Sequence, residues 1–219
     1  MLEENLRKIS EEIKNGNNLG EEITLVGATK FVGIDRINEA ISLGLAHIGE
    51  NRAQEFRDKL PFYLPCVKHF IGTLQKNKLK YVVGKADIID SVSSVALAED
   101  IAAAAEKLGV KQRIMVEINA GGEESKSGAT FPDAKRICDF ALGNANIALC
   151  GVMGMLPESD DTSLLSDLSE KLREFYDLLK KDAAEVKYLS VGMSSDYKIA
   201  IKHGSNAIRL GTALFGARY

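Results

Sequence analysis

Several residue types are scarce or absent in this chain, and each absence excludes a class of protein. The 219 residues include no tryptophan, four prolines and three cysteines. The cysteines, Cys66, Cys138 and Cys150, are odd in number and far apart, with no Cys-x-x-Cys or Cys/His ligand spacing. The sequence therefore predicts reduced thiols and no disulfide framework. With few prolines and no low-complexity tract, it also predicts no linker between domains.

An excess of charge of one sign is also missing. Lysines and arginines number 28 and acidic residues 31, which gives a net charge of -3. The two signs are interspersed, so no basic stripe could follow a nucleic-acid backbone. No apolar run approaches the roughly 20 residues of a membrane-spanning helix, and residues 1–13 carry charges throughout, unlike a secretory signal. We expect a cytoplasmic protein that binds neither nucleic acid nor membrane.

What is present is a core large enough for one domain and a repeating pattern of strands and helices. With 45% hydrophobic residues, the chain can bury one sizeable core, and we expect a single domain over residues 1–219. Apolar residues at helical spacing predict an N-terminal helix within residues 1–17, outside the repeat that follows. From Ile23 onward, short β-rich runs alternate with longer helical patterns, which is typical of βα units.

Eight runs are strand candidates: Ile23 to Thr29, Ala46 to Gly49, Lys68 to Gly72, Ile88 to Val92, Arg113 to Asn119, Ile147 to Gly154, Tyr188 to Gly192 and Ala207 to Gly211. Eight strand-helix repeats predict an α/β protein with a single-domain (β/α)8 TIM barrel, a fold that typically takes about 250 residues. An open doubly wound sheet is the structural alternative. Against it, the first βα turn, Gly27 to Lys30, contains no GxGxxG fingerprint.

Eight candidate site residues lie at or just beyond the carboxyl ends of these strand candidates, where a TIM barrel places its site. They are Lys30, Asn51, Met153, Ser194, Ser195, Arg209, Gly211 and Thr212. Lys30 is either an ordinary surface lysine or a Schiff-base lysine, whose amine must be neutral to attack a carbonyl. His47 and His69 have no second ligand at metal spacing, so we expect no metal site.

Two late turns have the composition of a phosphate-binding site. Ser194 and Ser195 follow the seventh strand candidate, and Gly211 and Thr212 follow the eighth, as in barrels that bind phosphate with these loops. The alternative is an ordinary N-cap and an ordinary turn glycine. Arg209 either forms a structural salt bridge or places its guanidinium beside a ring nitrogen of a ligand, where the positive charge keeps that nitrogen unprotonated. A lysine and a phosphate site together suggest a phosphate ligand that carries an aldehyde.

These residues lie in stretches by which the chain resembles the pyridoxal-phosphate homeostasis protein family, single-domain relatives of the alanine racemase barrel. The stretches are residues 27–30, 49–51, 69–78, 123–128, 151–155, 189–194 and 208–216. The resemblance implies a PLP-binding barrel that holds pyridoxal 5'-phosphate as a Schiff base on Lys30. It further implies that Ser194, Gly211 and Thr212 hold the phosphate, that Arg209 faces the pyridine nitrogen, and that Asn51 lies near the ring hydroxyl. Ser195 stands where the family often has an acidic residue, which leaves open which serine binds phosphate.

The same resemblance implies a binder more than a catalyst. Racemases take a second base from a carboxy-terminal domain that this family lacks, and an arginine at the ring nitrogen weakens the cofactor as an electron sink. We therefore assign no catalytic residue and expect a monomer in intracellular PLP homeostasis, buffering the cofactor or delivering it to apo-enzymes that use it. Lys78 and Lys126 are expected on a route for its release. The alternatives are a weak amino-acid racemase or other PLP-dependent enzyme, and a cofactor-free Schiff-base aldolase.

Overall fold

The computed structural model describes residues 1–123 and 127–216 and contains a closed barrel of eight parallel strands. The strands are β1 (Thr24–Ala28), β2 (His47–Glu50), β3 (Val67–Phe70), β4 (Ile88–Val92), β5 (Gln112–Asn119), β6 (Ile147–Met155), β7 (Tyr188–Ser190) and β8 (Ala207–Leu210). Each strand pairs with the next in the chain, and β1 pairs with β8, with Val26 opposite Arg209. The predicted (β/α)8 barrel is confirmed, because this closure excludes the open sheet.

Helices connect the strands and cover the barrel. They are α1 (Leu2–Ile13), α2 (Ile34–Ser42), α3 (Ala53–Lys59), α4 (Leu79–Val82), α5 (Val95–Leu108), α6 (Phe131–Leu142), α7 (Thr162–Asp182), α8 (Tyr197–Lys202) and α9 (Thr212–Phe215), with 3-10 turns at Leu60–Phe62 and Lys76–Lys78. The N-terminal helix lies outside the repeat, as predicted, and Asn5 donates a hydrogen bond to the Leu214 carbonyl in α9. None of the described helices is long and apolar enough to cross a membrane.

Local sequence explains where the longer helices begin and end. Ser94 precedes α5, and its hydroxyl accepts a hydrogen bond from the Leu97 N–H at 3.1 Å. Gly109 ends that helix with φ of 64°, a left-handed conformation that glycine adopts at little cost. Asp161 precedes α7 and accepts from the N–H groups of Ser163 and Leu164. These caps satisfy backbone groups that would otherwise lack partners.

Alternation along the strands separates an apolar outer layer from a partly polar interior. Ile48, Phe70 and Ile89 are buried against the surrounding helices. Their neighbours in the strands therefore point into the barrel. There His69 Nδ1 lies 2.9 Å from Asp90 Oδ1, and His47 Nδ1 lies 3.0 Å from His69 Nε2. Because a carboxylate only accepts, His69 donates to Asp90 from Nδ1, and its Nε2 shares a hydrogen bond with His47. Three strands are thereby joined by a polar chain inside the core.

Candidate functional site

A cavity of about 470 Å³ opens at the carboxyl ends of the strands. It is lined by Ala28, Lys30, Asn51, Ile71, Met155, Leu156, Pro157, Glu158, Met193, Ser194, Ser195, Asp196, Arg209, Gly211 and Thr212. These residues come from the last residues of β1 and β6, from the segments that follow β1, β2, β3, β6 and β7, and from β8 with the segment that follows it. The barrel thus brings together residues that are up to 184 positions apart, from Ala28 to Thr212.

Seven of the eight residues predicted for the site line this cavity, and Met153 does not. Met153 is 1% exposed and lies within β6, two residues before Met155, which lines the cavity. Both side chains are on the same face of the strand, but Met153 is deeper in the barrel. The sequence prediction ended this strand at Gly154, one residue early, and therefore put Met153 close to the rim.

Lys30 lies two residues beyond the end of β1, in a turn closed by the Val32 N–H donating to the Thr29 carbonyl at 3.0 Å. The Thr29 N–H donates to the Gly49 carbonyl of β2 at 2.9 Å, so a hydrogen bond to the neighbouring strand fixes the residue before Lys30. The Lys30 side chain is half-buried and lines the cavity. This position fits the Schiff-base interpretation of Lys30 better than that of a lysine directed into bulk solvent.

The turn after β7 is held in shape by its own side chains. The Met193 N–H donates to Asp196 Oδ1 at 2.5 Å, and Ser194 Oγ accepts from the Ala213 N–H in α9 at 3.2 Å. Ser194 therefore links the turn after β7 to the one after β8. Ser194 is half-buried, whereas Ser195 is exposed, although both line the cavity. The two predicted phosphate-binding turns are adjacent in space and joined by this hydrogen bond.

Arg209 supplies a buried positive charge at the cavity. It is 5% exposed, and one of its terminal nitrogens donates to the Ser190 carbonyl at 2.6 Å and to Ser190 Oγ at 2.8 Å. The other donates to the Gly154 carbonyl at 3.1 Å. Burial lowers the pKa of Arg209, while Asp90 and Glu117 oppose that shift from a distance. Among residues 1–123 and 127–216, the hydrogen-bond partners of this guanidinium are two backbone carbonyls, the Ser190 hydroxyl and the Met155 sulfur, and no carboxylate forms an ion pair with it.

Asn51 and two acidic side chains complete the polar lining. Asn51 Oδ1 is a buried oxygen that has no hydrogen-bond partner among residues 1–123 and 127–216. Buried polar atoms of native proteins are nearly always paired, so an orphaned amide oxygen at a cavity indicates a place where a ligand donates. Glu158 and Asp196 also line the cavity. The strand-end pattern did not identify them, because Glu158 follows β6 by three residues and Asp196 has the position of a helix cap.

Of the two lysines expected on a release route, one lies outside the cavity and the other cannot be placed. Lys78, expected on a release route, ends the 3-10 turn at residues 76–78, and its Nζ lies 5.9 Å from the centre of the Tyr81 ring. Lys126, the other, lies outside the described residues. In the part of the chain that the structure covers, no group of three His, Cys, Asp or Glu side chains could hold a metal ion.

Comparisons of sequence identify relatives over the whole chain. Residues 2–219 match the family described as alanine racemase, N-terminal domain. A pyridoxal phosphate homeostasis protein of Aquifex aeolicus is 36% identical over 98% of this chain and 94% of its own length. One of Schizosaccharomyces pombe is 32% identical over 91% of this chain and 86% of its own.

Comparisons of structure give the same result. PipY of Synechococcus elongatus, solved with PLP bound, superposes with a TM-score of 0.86 at 28% identity, covering 99% of this chain and all of that one. An alanine racemase of Clostridium difficile superposes with a TM-score of 0.80 at 17% identity, which shows a shared barrel. This chain spans 60% of that racemase.

Proposed function

We propose a function for this chain from one premise: it belongs to the alanine racemase N-terminal domain family and, within it, to the pyridoxal phosphate homeostasis proteins. We propose that it binds pyridoxal 5'-phosphate in the cavity at the carboxyl ends of its strands. The cofactor is held as a Schiff base on Lys30 and is buffered there or passed to apo-enzymes that require it. The observation that carries the proposal is one lysine facing the same cavity as the joined serine and threonine turns and the buried Arg209.

The residues present fit this cofactor in charge and in hydrogen-bonding capacity. The hydroxyls of Ser194 and Thr212 and the open backbone at Gly211 suit a phosphate; a Cβ added at Gly211 would meet nothing nearer than Ala28, at 3.7 Å. The orphaned Asn51 oxygen suits a donor such as the ring hydroxyl. Arg209 suits an unprotonated pyridine nitrogen, because a fixed cation disfavours a second positive charge beside it.

Each residue then has a distinct task. Lys30 would hold the cofactor through its amine nitrogen, by a carbon–nitrogen double bond to the aldehyde carbon that forms with loss of one water molecule. Ser194, Thr212 and the backbone at Gly211 hold the phosphate, and Asn51 accepts from the ring. When bound, the cofactor can supply an electron sink for amino-acid chemistry. Arg209 opposes that use by keeping the ring nitrogen unprotonated, which supports a storage role over a catalytic one.

Uptake of the cofactor by purified protein tests this proposal against its alternatives. Addition of pyridoxal 5'-phosphate is expected to give a visible imine absorption band that saturates at one equivalent in wild type and is lost in Lys30→Ala. Lys85→Ala, at an exposed lysine remote from the cavity, is expected to keep the band. Rapid exchange of the α-protons of several amino acids would favour a racemase. A protein that takes up no cofactor would favour a cofactor-free aldolase.

A further inference from the structure

The turn that carries Lys30 contains a strained residue. Lys30 and Phe31 are the two central residues of the turn from Thr29 to Val32. Phe31 has φ of 63°, and it is the one residue other than glycine with a positive φ in the ranges 1–123 and 127–216. A turn of this kind normally has glycine or asparagine at that position, because other side chains are crowded there. Such a conformation persists only where surrounding contacts impose it.

Three charged side chains supply contacts of this kind: Glu50, Glu55 and Lys59, which we call the Lys59 cluster. Glu50 ends β2, and the other two are on α3. Lys59 Nζ lies 2.7 Å from Glu50 Oε1, 2.6 Å from Glu55 Oε1 and 3.0 Å from the carbonyl oxygen of Thr29. One ammonium group therefore uses its three donors on two carboxylates and the backbone of the turn.

The carboxylates of the cluster bind the residues on either side of Lys30. Glu50 Oε1 accepts from the Thr29 hydroxyl at 2.8 Å, before the lysine, and Glu55 Oε1 accepts from the Phe31 N–H at 2.8 Å, after it. The Arg52 guanidinium covers the Phe31 ring at 4.3 Å from its centre. The cluster thus fixes the backbone at both ends of Lys30.

Lys59 is the member on which the others depend. Glu50 is 1% exposed, and burial raises its pKa, while Lys59 opposes that rise and the nearby Glu55 adds to it. Without the ammonium, two carboxylates would face each other with no cation between them, and the Thr29 carbonyl would lose a donor. Glu55 would then turn away and release the Phe31 N–H. The strained conformation of Phe31 would then lose the carboxylate that fixes its backbone N–H.

We infer that the Lys59 cluster is a positioning device that holds the turn so that the Lys30 amine points into the cavity. This inference rests on the proposed Schiff base on Lys30. A cluster with a purely structural role would stabilise the barrel but would have no specific effect on the imine bond to Lys30. A positioning cluster affects imine formation specifically, because a misplaced reacting group loses the advantage of its fixed orientation.

Two ligands separate these cases. Pyridoxal 5'-phosphate can form the imine, whereas its alcohol analogue, pyridoxine 5'-phosphate, has the same ring and phosphate but no aldehyde. In Lys59→Met we expect the aldehyde to bind about tenfold more weakly, a change of ~1.4 kcal/mol, and the alcohol to bind within a factor of about two of wild type. The matched control is Lys68→Met, which removes a 2.7 Å ion pair to Asp87 at the opposite end of the barrel.

A rescue variant tests the strain itself. Asparagine tolerates positive φ, so Lys59→Met combined with Phe31→Asn is expected to recover imine formation to within about threefold of Phe31→Asn alone. Lys59→Arg keeps the cation and is expected to lose less than Lys59→Met. Should Lys59→Met fail to fold, Glu55→Ala, at a partly exposed position, is expected to give the same selective loss.

The outcomes distinguish failure of the inference from failure of the proposed function. Equal loss of both ligands in Lys59→Met, no loss of either, or no recovery in the double variant would overturn the positioning role. If wild type instead bound the alcohol as tightly as the aldehyde, and Lys30→Ala changed neither, the Schiff base itself would be wrong.

Discussion

Gly192 offers a test of how the turn after β7 is built. Its φ is 104°, and a Cβ placed on it would come within 2.7 Å of the Tyr197 Cα and 3.0 Å of the Ala200 Cβ. Tyr197 and Ala200 belong to α8, so the first of these contacts is with helix backbone, which cannot move aside as a side chain would. Gly192→Ala therefore combines an unfavourable φ with a steric collision, directly before the Met193 to Asp196 segment that lines the cavity.

A second glycine allows the two effects to be separated. Gly44 has φ of 105°, and a Cβ added there would meet no atom within 4 Å. Gly44→Ala is therefore expected to cost only backbone strain, ~1–2 kcal/mol. Gly192→Ala adds overpacking of typically 1–3 kcal/mol, so we expect it to be less stable than Gly44→Ala by about 2 kcal/mol. At about 2–4 °C per kcal/mol for a chain of this length, the two melting temperatures should differ by about 4–8 °C.

Thermal unfolding followed by circular dichroism measures the difference directly, with urea unfolding at 25 °C as the check on free energy. Binding of pyridoxine 5'-phosphate should weaken in Gly192→Ala and stay unchanged in Gly44→Ala, since only the first variant displaces the turn with Ser194. Equal melting temperatures for the two variants would refute the steric argument. Full ligand affinity in a destabilised Gly192→Ala would refute the link between this turn and the phosphate.

Three other predictions concern single side chains. Burial and the adjacent His69 imidazole lower the pKa of His47 to about 4. The contribution of neutral His47 to the stability of the fold is therefore complete above about pH 6.5 and is lost as the pH falls toward 4. A titration of His47 followed by NMR with a midpoint at or above pH 6.5 would contradict this. Burial opposes ionisation of Glu21, but hydrogen bonds from two cations and an amide lower its pKa to about 2. Its stabilisation is therefore present above about 4.5 and lost toward pH 2, and Glu21→Gln should cost about 1–2 kcal/mol in urea unfolding at pH 7 but little at pH 2, after allowance for solvent screening. Ser194→Ala should weaken pyridoxine 5'-phosphate binding about tenfold, and more than Ser195→Ala does, because the Ser194 hydroxyl joins both turns; calorimetric titration showing the reverse order would count against that assignment.

The strands of the barrel could be predicted from sequence because each is a short apolar run between polar segments. Every strand end lies within two residues of its predicted position. Four observed strands lie inside their candidates, and the other four, β2, β3, β5 and β6, extend one residue beyond the candidate at one end. Strand ends were harder, because pairing with neighbours, not composition, decides the last bonded residue. That uncertainty explains Met153: an error of one residue at the end of β6 changed which methionine was expected at the rim.

Short helices and long-range contacts could not be predicted in the same way. Helices α4, α8 and α9 have four to six residues, too few for a helical period to be recognised. Glu55 and Lys59 have the spacing of a helical ion pair, but nothing in the sequence places them against Thr29 and Phe31. Likewise, the polar chain through His47 depends on side chains from three strands, which only the closed barrel brings together.

Borohydride reduction of the cofactor-loaded protein tests the central claim most directly. The reagent converts an imine to a stable amine, so peptide mapping then identifies the modified side chain. We predict that the cofactor is recovered on the peptide containing Lys30, at close to one equivalent, and on no other lysine in significant amount. Modification spread over several surface lysines, or none at Lys30, would contradict the account.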